Sequence, residues 1–137
     1  MTRFDADTPA ERRKLFVDAV TAHRKRGSAF LTVEVAADPA LDGVDEDGDP
    51  LPAPWVQFAE KTFNLDVTDD ERDRLEQLLE EYREFRIEEL NSPDESEGTN
   101  VRITARSDAN RLAGFVDHLF QHVYGRDESY RAWITRV

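Results

Sequence analysis

Three helix-start signals punctuate this chain, at Thr8-Pro9-Ala10-Glu11, at Thr68-Asp69-Asp70-Glu71 and at Ser107-Asp108. In the first two, a threonine is followed three positions later by glutamate, the pairing that satisfies the orphan amides of a helix N-terminus. Between the signals, apolar residues alternate in short runs, the pattern of strands with one buried face. Strands therefore come in groups between helices rather than singly, which argues for an antiparallel sheet with helices packed against it.

The first helix runs from the Thr8 cap to about Arg26, with Leu15, Phe16, Ala19, Val20 and Ala22 as its apolar stripe. Arg24, Lys25 and Arg26 complement its C-terminus, and Gly27 supplies the stop. Residues 29–35 alternate as a strand through Leu31, Val33 and Val35. Residues 36–54 hold six acids, two glycines and four prolines and read as an acidic flexible loop. Over residues 55–63, Trp55, Phe58, Ala59, Thr62 and Phe63 fit helical spacing as well as strand alternation, so both assignments stay open; the β-rich composition and flanking proline favour strands. A second helix follows Thr68 with Leu75, Leu78, Leu79 and Tyr82 as its stripe, and residues 84–90 and 100–106 form a hairpin. The last helix carries Leu112, Phe115, Val116, Leu119, Phe120 and Val123, and Gly125 stands where a left-handed cap is wanted. The tail around Tyr130, Trp133 and Ile134 is apolar enough to pack back, as strand or helix. The expected fold is one α+β domain over residues 1–137, with a sheet of four to five strands in the order α-β-β-(β)-α-β-β-α.

Charge narrows the function classes. The chain holds 30 Asp and Glu against 18 Lys and Arg, a net charge of -12, and only three of the basic residues are lysine. Attraction to nucleic acid or to an anionic membrane works against that balance. A surface of this kind suits a halophile that keeps molar salt in its cytoplasm, where the screening length falls to roughly 3 Å and carboxylate repulsion is muted. Residues 1–28 run the other way, at +3, and could lie on the acidic body of this chain or of a second copy. No cysteine is present, which excludes disulfides, thiolate metal sites and cysteine nucleophiles. The first residues contain no apolar stretch of a secretory signal and no run approaches the roughly 20 residues of a bilayer span, so a cytoplasmic protein is expected.

Motifs for chemistry are sparse. His118 and His122 stand four apart on the last helix, a spacing that can aim two imidazoles at one metal, but Leu119 replaces the glutamate a zinc protease motif needs. Counting a calcium loop from Asp45 places Pro50 and Val56 where glycine and a bidentate glutamate belong. Neither a phosphate-binding glycine loop nor a nucleophile elbow is found. No cofactor and no catalytic residue is assigned, and the chain is expected not to be an enzyme. Trp55, Phe58, Phe63, Tyr130 and Trp133 are the candidate partner-binding residues, because aromatics concentrate at interfaces; the competing assignment for them is core.

The element order, the run Trp55-Val56-Gln57-Phe58-Ala59-Glu60, the capped helix after Leu65 and Val67, and the close of the last helix at Val123-Tyr124-Gly125 together resemble the type III secretion chaperone-like fold, and within it the TY-Chap domain group. That resemblance implies a non-catalytic, homodimeric, chaperone-like or adaptor domain that binds a protein partner on its sheet or helices. The alternative is a small metal- or ligand-binding enzyme using His118 and His122. On the charge argument, the melting temperature should climb as KCl is raised from about 0.1 M into the molar range; a flat or falling curve would contradict a halophilic setting.

Overall fold

The computed structural model describes residues 5–92 and 98–137, and all three expected start signals are used. After a two-residue strand β1 (Asp5–Ala6), helix α1 (Pro9–Arg26) begins with the Thr8 hydroxyl accepting the Glu11 amide at 3.3 Å and ends at Gly27, whose φ of 62° is the left-handed turn glycine permits. Strand β2 (Leu31–Val35) leads to a short helix α2 (Pro39–Asp42) and then the hairpin β3 (Trp55–Ala59) and β4 (Thr62–Val67). Helix α3 (Asp69–Leu79) opens on a complete capping box between Thr68 and Glu71. Strands β5 (Arg86–Asn91) and β6 (Thr99–Thr104) precede α4 (Ala109–His118), which Asp108 caps and which continues as a π-turn over Leu119–Val123. Strand β7 (Ala132–Arg136) ends the fold.

All strands pair antiparallel in one sheet of order β1-β7-β2-β3-β4-β6-β5. Seven strands therefore replace the expected four to five. The two additions are β1, too short to carry a periodic signal, and the C-terminal tail, which becomes strand because it slots between β1 and β2 and finds hydrogen-bond partners on both sides. Residues 55–63 form two strands joined by a turn at Glu60 and Lys61 rather than a helix, as the β-rich composition favoured. The 36–54 segment, expected as a flexible connection, is tied to the body: Asp42 on α2 forms a bidentate pair with Arg126 at 2.7 and 3.0 Å, both side chains only 5% exposed. Part of the turn expected between β5 and β6, residues 93–97, lies outside the described residues.

One sheet face is covered and the other is not. Leu31, Val33, Val35, Val56, Phe58, Phe63, Leu65, Val67, Val101 and Ile103 are buried and share a core with Phe16, Leu75, Leu112, Phe115 and Phe120 of the helices. Phe63 sits 4.7 Å from Phe58 and 5.3 Å from Phe115, ring centre to ring centre, and Phe85 meets Phe115 edge-on at 4.9 Å. Such pairs each contribute about 0.5–1.5 kcal/mol beyond area burial.

A guanidinium joins the helices to the tail. Arg12 of α1 is fully buried, donating from Nε to Asp117 Oδ1 at 2.9 Å and from Nη1 to the Glu128 and Tyr130 carbonyls, each at 2.9 Å. Its plane lies 3.9 Å from the Tyr130 ring centre, and the Tyr130 hydroxyl donates to the same Asp117 oxygen at 2.7 Å. Burial and the Asp117 charge hold that hydroxyl protonated, far above its ordinary pKa. Removing one partner of a buried ion pair typically costs about 3–5 kcal/mol. Arg12→Ala should accordingly lose about 3 kcal/mol or more in urea unfolding, whereas Lys14→Ala on the solvent side of α1 should stay within about 0.5 kcal/mol; equal, small losses would show that the network does not hold the fold.

Candidate functional site

Along the sheet, side chains of successive residues point to opposite faces, so the register fixes what the uncovered face presents. Asp5 stands opposite Trp133, Trp133 opposite Glu34, and Glu34 opposite Trp55, one row across β1, β7, β2 and β3. Trp55, Glu34 and Trp133 are each half-buried. Trp133 donates its indole N–H to Glu34 Oε2 at 3.2 Å. With neighbouring strands about 4.8 Å apart, Trp55 and Trp133 hold the register positions on either side of Glu34. They are the only tryptophans in the chain. A carboxylate between indoles is chemistry for a cation: the ring faces and the charge attract an ammonium or guanidinium together.

The next rows are polar. Thr32, Gln57, Asn64 and Arg102 follow one another across β2, β3, β4 and β6. Phe30, Gln57, Thr62, Asn64, Glu88 and Arg102 line a shallow hollow of about 400 Å³ there. Glu88 accepts from the Thr104 hydroxyl at 2.8 Å, and Arg102 lies 3.7 Å from Glu89. Among the described side chains of β2 to β6, Glu34, Asp66, Glu88 and Glu89 outnumber Arg86 and Arg102 on this face.

Of the five aromatic candidates, Trp55 and Trp133 come together on the uncovered face. Phe58 and Phe63, each 1% exposed, and Tyr130, at 7%, fill the helix-covered core. Glu34 was missed from sequence because a polar residue in strand alternation is usually only solvated; its signal was a place between two strands that each offer a tryptophan.

The histidine pair lies in the helix layer. The His118 and His122 rings meet edge-on at 5.5 Å between centres. Among the described residues no cluster of three or more His, Cys, Asp or Glu side chains is placed to hold a metal ion. His118 is engaged elsewhere, its Nδ1 2.7 Å from the Tyr82 hydroxyl. Burial lowers the His118 pKa and His122 pushes the same way, against Asp117 and Glu81. Tyr82 is raised by burial, with Arg111 and Arg13 drawing it back. The Arg111 guanidinium stacks 4.0 Å over the Tyr82 ring and donates to Glu84 at 2.6 Å, which keeps the Glu84 carboxyl below its ordinary value. His23, on α1, is buried too: the Glu60 amide donates to its Nε2 at 3.1 Å, so Nδ1 carries the proton toward Ser28 Oγ at 2.7 Å. Glu60, at φ 56°, is the one described non-glycine residue in the left-handed region, and this bond steadies it.

The whole chain, residues 1–137, matches the model of a family of unknown function, DUF7975, and belongs to that family. No curated protein and no solved structure matches it. Among the described residues no helix is long and apolar enough to cross a membrane.

The chain has three histidines, so their titrations can be resolved by NMR. His23, lowered first by burial and then by Arg24, and His118 should both show midpoints below the ordinary 6.5. Because the fold favours their neutral forms, the stability they contribute is complete above pH 6.5 and is lost as pH falls through their lowered folded values. Midpoints at or above 6.5 would contradict the burial of both rings.

Proposed function

We propose that this is a non-catalytic, chaperone-like or adaptor domain that takes a basic, extended segment of a protein partner across its uncovered sheet face. The observation that carries the reading is the placement of both tryptophans of the chain on either side of Glu34, on the side of the sheet that no helix covers. Two half-exposed indoles on a face otherwise filled mostly by polar residues are candidate anchors, since aromatic residues are where binding energy concentrates at interfaces. The acidic balance of the same face supports a basic partner through charge complementarity. Setting aside β1, α2 and β7, the elements run α-β-β-β-α-β-β-α, the order on which the resemblance to the TY-Chap group rests, and this supports a partner-holding role. The acidic composition supports a salt-rich cytoplasm as its setting. A second copy of the chain, as a homodimer through this face, is the competing occupant.

Intrinsic fluorescence reads this face directly. At the lowest KCl concentration that keeps the chain folded, an Arg- and Lys-rich peptide of about 15 residues should shift the emission saturably, and Glu34→Gln should weaken the response by roughly ten-fold, as loss of a charged contact of about 1.4 kcal/mol does. An acidic peptide of equal length should leave it unchanged. Equal responses to both peptides, or a stable dimer by light scattering whose tryptophans ignore the basic peptide, would overturn the reading.

A further inference from the structure

A second feature lies on the opposite side of the molecule, in the helix layer, and is independent of the sheet face. Arg12, Arg126 and Arg131 each hold an acidic partner, while others among the described residues, Arg83 and Arg106 for example, hold none and extend from exposed positions. Arg13 has no ion pair among the described residues, yet its guanidinium does not simply extend into water. It is laid against the backbone of α4: a Cβ added at Gly114 would stand 3.6 Å from Arg13 Nη2 and 3.4 Å from the Tyr82 hydroxyl oxygen. Glycine inside a helix is a cost to that helix. Here it removes the side chain that would fill the space shared by Arg13 and Tyr82.

Around that space is an open hollow of about 430 Å³, lined by Arg13, Tyr82, Asp108, Asn110, Arg111, Gly114 and His118. Asn110, Gly114 and His118 are four residues apart and so share one face of α4. Donor-bearing residues from three elements therefore line it: Arg13 from α1, Tyr82 from the segment after α3, and Asn110 from α4. The Asp108 carboxylate is already committed, accepting the Arg111 amide at 2.8 Å as the helix cap, and the Arg111 side chain is committed to Glu84. Among the described residues Arg13 has no ion pair, and Asp108, engaged by the cap through Oδ1 alone, keeps its negative charge in the same hollow.

We propose that this hollow binds a phosphate group, held by the Arg13 guanidinium, the Tyr82 hydroxyl and the Asn110 amide, with His118 behind Tyr82. A tetrahedral anion with several oxygens suits donors drawn from three elements, and a guanidinium fork suits two of those oxygens. When the anion enters, the Tyr82 O–H turns toward it, and His118 Nδ1, carrying a proton, donates to the Tyr82 oxygen in its place. The groups facing His118 are Tyr82 and Glu81 beyond α3, Asp117 and His122 on its own helix run, and Arg13 on α1; none of them removes the coupling of an anion at Tyr82 to the imidazole.

The test is an NMR titration of the whole chain at fixed ionic strength, following the His118 ring and its pH midpoint. Inorganic phosphate is the first probe, glycerol phosphate the second and acetate the control. Phosphate should raise the His118 midpoint saturably; tighter binding of glycerol phosphate would assign the group to a phosphate ester, and equal or weaker binding to free phosphate. Arg13→Gln, at an exposed side chain, should weaken binding by roughly ten-fold or more, as expected for a charge-assisted contact, and Lys14→Gln should leave it unchanged. Gly114→Ala, which favours the helix, should stay folded and bind more weakly. A His118 midpoint indifferent to phosphate, an equal response to acetate, or unaltered binding by Arg13→Gln would overturn the proposal.

Discussion

A sheet covered by helices on one side only has two faces with opposite obligations, and that asymmetry organises this molecule. On the covered side every second strand residue is apolar and enters a single core with α1, α3 and α4. On the other side the alternate residues meet water, and all that is needed of them is polarity and strand propensity. Threonine, asparagine, glutamine and charged residues meet that need at nearly every position. The small Ala59 aside, two positions depart from it, Trp55 and Trp133, and they bracket Glu34. A departure from the bland solution at the only tryptophans of the chain is a reason to look for function there, since exposed polar positions without a role are cheap to fill with polar residues.

The sheet edges and chain ends are held by arginines. Arg12 ties α1 to α4 and to the segment before β7. Arg126 clamps α2 through Asp42 and also donates to the Ala36 carbonyl at 3.1 Å, closing the acidic connection against the body. Arg74 donates twice to the Val123 carbonyl, at 3.0 and 2.9 Å, where the π-turn leaves it unpaired within the helix. Tyr124, next in line, donates to the Asp66 carbonyl at 2.6 Å. Guanidinium suits these posts because one planar group can satisfy several acceptors at once while keeping its charge. The preference for arginine over lysine in the composition is thus partly a matter of structure. At the far edge, β5 carries a bulge between Ile87 and Glu89 and charged side chains, features that discourage pairing with another chain's strand.

The helices and the middle strands were legible because their signals are local: a capping threonine, a left-handed glycine and alternation each need only a few neighbouring residues. Thr8, Thr68, Gly27 and Gly125 all occupy the posts expected of them. Strands β1 and β7 were hidden because their identity depends on each other and on β2. The connection over residues 36–54 read as flexible because acidic, proline-rich composition carries no trace of Arg126, which lies far along the chain. Arg12, buried, and Arg13, exposed and without an ion pair among the described residues, are adjacent letters with opposite fates, decided by which side of α1 each one faces. Of the candidate aromatics, strand parity separated Trp55 from Phe58, since residues three apart point to opposite faces; that rule was available from the sequence once strand was preferred to helix.

The central claim is that the two tryptophans form an uncovered, cation-seeking pair around Glu34. Collisional quenching of the single-tryptophan variants Trp55→Phe and Trp133→Phe tests it without any assumption about the partner. Caesium should quench each remaining indole more efficiently than iodide, because the carboxylate gathers cations and repels anions. Indoles shielded from both quenchers, or quenched better by iodide, would contradict the account.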